Sequence, residues 1–122
     1  MSNTIKITAV DNELIVLAYH WTGSYELCRI LSGNGMQVNV TLTLAQGEYM
    51  GPIVLNAVNN PLNLSLNVCL PVITDKYSLL LAGINWGGPA VFAASVNGTA
   101  LSGTIAPGNG VVWTPAPIAI TI

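Results

Sequence analysis

Met36, Val38, Val40, Leu42 and Leu44 alternate with Gln37, Asn39, Thr41 and Thr43. A period of two over that length makes a β-strand with one face buried and one wet. Leu62, Leu64, Leu66, Val68 and Leu70 repeat the pattern against Asn63, Ser65 and Asn67. Ile5 and Ile7 begin it near the first residues, and Ile118, Ile120 and Ile122 carry it near the last. Three further stretches, 14–21, 77–84 and 90–96, are apolar at odd and even positions alike. Such runs are strands covered on both sides, or strands whose outer face meets another molecule. No window spaces apolar residues by threes and fours between caps, so no helix is expected to cover a second face.

Ser32-Gly33-Asn34-Gly35, Asn97-Gly98 and Asn109-Gly110 predict tight hairpin turns, because Asn and Gly accept positive φ at little cost. Asn59-Asn60-Pro61 and Gly87-Gly88-Pro89 predict longer turns. Pro115 and Pro117 place the start of the last strand at a sheet edge, where a missing N–H is tolerated. About six to nine short strands at this spacing predict an all-β fold, an antiparallel β-sandwich of jelly-roll or Greek-key type. A chain of 122 residues supplies one core rather than two, so residues 1–122 are read as a single domain.

Charge changes the picture most. Only 7% of the residues are charged, against about a quarter in an ordinary domain, and none lies between Tyr77 and Ile122. With Lys6, Arg29 and Lys76 as its fixed cations, the chain has no patch for nucleic acid or anionic lipid. The uncharged stretch 77–96 has the length of a membrane helix, but Asn85, Gly87, Gly88 and Pro89 interrupt it, which favours two strands joined by a turn. The first residues lack a basic segment followed by an apolar run, so synthesis in the cytoplasm is expected, with any export by another route.

Candidates for chemistry are few. His20 has Asp11, Glu13 and Glu26 as its local carboxylates and no adjacent nucleophile, which argues against an enzyme. One histidine and five scattered acids give no metal-ligand spacing, and no glycine loop suits a cofactor. Cys28 and Cys69 are too few for a disulfide framework; they read as two buried thiols, with a single bridge as the alternative.

Three functions follow, in decreasing order of support. The first is a self-associating, non-enzymatic β-sandwich subunit whose uncharged strands meet other copies, with Tyr19, His20 and Trp21 as candidate interface residues. The second is a lectin-like module: Trp86 in a glycine-rich turn would stack on a pyranose, Asn85 would bond its hydroxyls, and Tyr25, Tyr49 and Trp113 would form a rim. The third is a membrane-acting toxin component that inserts 77–96 as a hairpin, which is disfavoured because the same residues suit a sandwich core.

Overall fold

The structure is a computed structural model describing residues 3–21, 23–33, 37–73 and 75–122. Among these, the chain forms eleven strands and no helix. They are β1 (Asn3–Asp11), β2 (Glu13–His20), β3 (Gly23–Ser32), β4 (Val38–Gln46), β5 (Ile53–Ala57), β6 (Leu62–Leu70), β7 (Tyr77–Asn85), β8 (Val91–Val96), β9 (Thr99–Ala100), β10 (Gly110–Trp113) and β11 (Ile118–Ile120). Two sheets pack into a β-sandwich. Sheet I has the order β6-β4-β1-β8-β9, and sheet II the order β10-β7-β2-β3-β5, with β11 following β10 along the same edge of β7.

Most pairs are antiparallel, as the turn chemistry implies, but each sheet ends in one parallel pair: β4 with β6 and β3 with β5. The cause is in the connections. From β3 to β8 every link crosses from one sheet to the other, so β4 and β6 both leave and return through sheet II and run the same way. Asn97-Gly98 is the one expected hairpin turn that joins paired strands, with φ of 50° and 83° between β8 and β9. Asn109-Gly110 leads into β10, whose partner is β7, and Ser32-Gly33 leaves sheet II for sheet I. Asn34, Gly35 and Met36, on which the rest of that turn and the expected start of β4 fall, lie outside the described residues.

The two hydropathy patterns sort into the two sheets with two exceptions: the doubly apolar β8 lies in sheet I, and the alternating β11 lies in sheet II. β1, β4 and β6, which alternate, are neighbours in sheet I and point Lys6, Asn39, Thr41, Thr43, Asn63, Ser65 and Asn67 outward. β2 and β7, apolar on both faces, are neighbours in the middle of sheet II. Their inner residues Leu14, Val16, Ala18, Tyr77, Leu79 and Leu81 meet Ile5, Ile7, Val40, Leu42 and Leu44 in one core. At a few tens of cal/mol per Å² removed from water, that layer is the main stabilising term. The uncharged 77–96 does form two strands, yet β7 and β8 belong to opposite sheets, so it is no hairpin that could peel away as a unit.

Candidate functional site on the outer face of sheet II

Alternation along β2 and β7 turns Ile15, Leu17 and Tyr19 outward, beside Leu80, Ala82 and Ile84 of the neighbouring strand. β10 adds Val111 opposite Ile84, and β5 adds Val54 opposite Arg29; both valines are 61% exposed. Leu31 of β3 pairs with Glu13 and completes the face. No layer of the described chain lies over it. Sheet I turns amides and hydroxyls to the outside, whereas sheet II turns aliphatic side chains.

Three of the chain's eight charges sit within that apolar face and satisfy one another. Arg29 Nη1 donates to Glu13 Oε2 at 2.6 Å, and its Nε and Nη2 donate to Glu26 Oε1 at 3.0 and 2.9 Å. The bond to Glu26, and then that to Glu13, raises the Arg29 pKa and fixes its charge. Trp86 Nε1 donates to the other oxygen of Glu13 at 3.2 Å, so this buried carboxylate has a donor on each side. Glu26 and Arg29 are three apart, a spacing that puts side chains on opposite faces of a regular strand. A bulge opposite Val16 and Leu17 takes up the extra residue, burying both Leu27 and Cys28 and turning both charges outward. No sequence signal marks this bulge, and the Arg29 cluster was not foreseen for that reason.

The expected ligand residues divide between the two ends of the sheet. Trp86 lies beyond the Glu13 end of β2, 51% exposed, its backbone N–H donating to Asn12 Oδ1 at 2.9 Å. Asn85 is buried, and its amide is used by the turn itself: Nδ2 donates to the Gly88 and Gly108 carbonyls, and Oδ1 accepts from the Gly87 N–H. Trp113 is core, 3% exposed and stacked on Phe92. Tyr25 and Tyr49 meet edge to face at 4.9 Å, with Tyr25 6.2 Å from Tyr77, at the His20 end of the sheet. The length of β2 puts them about 24 Å from Trp86, so they form no rim around it.

Of the expected interface residues, Tyr19 lies on the outer face and Trp21, 85% exposed, stands at the β2–β3 hairpin. His20 points to the other side and packs edge to face on Tyr77 at 5.2 Å. Tyr77 donates its hydroxyl proton to the Pro71 carbonyl at 2.6 Å, and Tyr49 to that of Glu26 at 2.6 Å. Both cysteines are free, Cys28 in sheet II and Cys69 in sheet I. Among the described residues no group of His, Cys, Asp and Glu is placed to hold a metal ion. No protein-family model matches the chain, and neither a curated protein nor a solved structure gives a significant match.

Proposed function

We propose that this chain is a non-enzymatic structural subunit that associates with further copies of itself through the outer face of sheet II. One observation carries the reading: that face is mainly aliphatic around a single internally paired charge cluster, and no described residues cover it, while the equivalent face of sheet I is mainly polar. Five strands at their usual spacing and rise give it roughly 600 Å², so a pair of copies would bury on the order of 1,200 Å², the lower bound of specific interfaces. Its charges are already paired within the chain, which removes the usual motive for a charged partner and favours a neutral one. A second copy of the same flat face is neutral apart from the same internal cluster, and sheets stack face to face at about 10 Å.

The test is the native mass by light scattering over a wide dilution series, with Leu80→Lys beside the wild type. Leu80 lies in the face beside Leu17 of the central strand, so an ammonium there should reduce the mass while the thermal melt of the subunit stays within a few degrees. A wild type that is monomeric throughout would sink the proposal. Trp86 supports glycan binding as a second reading, since its N–H is anchored on Glu13 and its ring is held half exposed. Indole fluorescence that shifts with a neutral sugar and is lost in Trp86→Ala would favour it.

A further inference from the structure

We propose that the open edge of β6 is a second, independent self-association site, which pairs antiparallel with β6 of another copy about a two-fold axis through Ser65. Three of the four sheet edges are blunted. β9 has two residues, β5 has five and follows Pro52, and the edge made by β10 and β11 is broken by a bulge between Val111 and Trp113 and by Pro115 and Pro117. β6 has nine residues, pairs with β4 without a register break, and contains neither a charge nor a proline. Edges are ordinarily protected by such devices, and a long, flat, uncharged one is a template for another strand.

The backbone is polarised for this. Leu62 N–H donates to the Gln37 carbonyl and the Leu70 carbonyl accepts from Gly47 N–H, so the even-numbered residues of β6 turn their peptide groups towards β4. Asn63, Ser65 and Asn67 therefore turn theirs to the open side.

The sequence of the strand identifies the occupant. Leu62-Asn63-Leu64-Ser65-Leu66-Asn67-Val68 reads nearly the same in both directions about Ser65. In an antiparallel pair centred there, Asn63 faces Asn67, Leu64 faces Leu66, Leu62 faces Val68 and Ser65 faces its own copy. A two-fold contact requires such self-complementarity, since each half must fit itself.

The pairs 63 with 67, 65 with 65 and 67 with 63 are of the hydrogen-bonded type and give about six backbone bonds. On the outer face the exposed amides of Asn63 and Asn67 meet; Asn39 Nδ2 already donates to Asn63 Oδ1 at 3.3 Å across the neighbouring pair. On the inner face Leu62, Leu64 and Leu66 are only half buried, because the sandwich ends beside them. A continued sheet covers them. The segment 49–53 lines a cleft of about 160 Å³ together with Asn67, Val68 and Cys69, and so marks the far limit of the open stretch. Two separate two-fold contacts on one chain carry assembly past the dimer, to an open row of copies or, where the two axes cross, to a closed tetramer.

Sedimentation velocity of four proteins separates the two contacts. Wild type should form species heavier than a dimer, a growing series or a closed tetramer. Ser65→Lys, which sets two ammonium groups against each other at the axis, should stop at the pair made by the sheet II face. Leu80→Lys should stop at the pair made by β6, and the double variant should be about twofold lighter than either. A monomeric Ser65→Lys beside a dimeric Leu80→Lys overturns the sheet II reading and leaves this one standing; a monomeric Leu80→Lys overturns this one. Ser65→Cys in a Cys69→Ser background captures even a weak pair, because hydrogen-bonded partners about 5.5 Å apart are within disulfide reach. No more oxidised dimer than from exposed Ser102→Cys in the same background overturns the proposal as well.

Discussion

Trp113 of sheet II lies flat against Phe92 of sheet I, ring centroids 5.7 Å apart and planes 7° from parallel. The stack ties β10, otherwise a short edge strand, to the opposite layer. Trp113→Ala should therefore cost about 3–5 kcal/mol, the range for emptying a core aromatic site. Trp86→Ala, at a half-exposed ring, should cost less than about 1 kcal/mol. Urea midpoints of the two variants check the contrast, and equal losses would mean that Trp86 is as structural as Trp113.

Phe92 also rests on Gly83. A methyl at that position would lie 2.8 Å from Phe92 ring carbons, closer than van der Waals contact allows. Gly83→Ala is expected to destabilise by about 1–3 kcal/mol through overpacking. Adding Phe92→Leu removes the ring, so the double variant should be more stable than the sum of the single losses predicts, by at least about 0.5 kcal/mol. Strict additivity would show that the strain is relieved elsewhere.

These contacts mark where the sequence could be read and where it could not. Period-two alternation is a property of neighbouring residues, so β1, β4 and β6 and the sidedness of sheet I were open to inspection. The doubly apolar runs were legible as strands with something unusual on the outside. Which strands pair is decided by loop crossings, and Asn-Gly marks a tight turn without saying whether the next strand returns beside the last or crosses over. Trp113 and Trp86 follow similar glycine-containing stretches, but Trp113 lies within β10 past a register shift and stacks on Phe92, whereas Trp86 lies just beyond the end of β7. Glu26 and Arg29 were hidden in the same way, by one extra residue in β3.

Removing Arg29 alone should be worse than removing it together with the charge of Glu13. Arg29→Met leaves the buried Glu13 carboxylate with the Trp86 N–H alone, at a cost of about 2 kcal/mol, discounted because Arg29 itself is over a third exposed. Glu13→Gln together with Arg29→Met removes the orphaned charge and should recover at least half of that. Glu26→Gln, which affects a partly exposed pair, should cost no more than about 1 kcal/mol. Urea unfolding of the three variants beside the wild type makes the comparison; a double variant no better than Arg29→Met would mean that the charge of Glu13 is not what makes the loss.

Cys28 gives the chain an alkaline limit. Burial, and secondarily the Glu26 carboxylate, pushes its thiol up to about 12, whereas a thiol in an unfolded chain ionises near about 8.5. Between those values the unfolded state releases a proton that the folded state retains. Stability is therefore complete below about pH 8.5 and falls as pH rises towards 12, by at most about 1.4 kcal/mol per pH unit. Tyr49 and Tyr77, also raised chiefly by burial, act in the same direction but only above about pH 10. The interval from about pH 8.5 to 10 thus isolates the cysteine. Urea midpoints there should decline in the wild type and stay nearly level in Cys28→Ala, whatever the variant loses at neutral pH through its smaller side chain. Thiol alkylation supplies the parallel check: the partly exposed Cys69 should react in the native protein and Cys28 only once it unfolds. Equal slopes in the two proteins, or early modification of Cys28, would place the alkaline transition on another group.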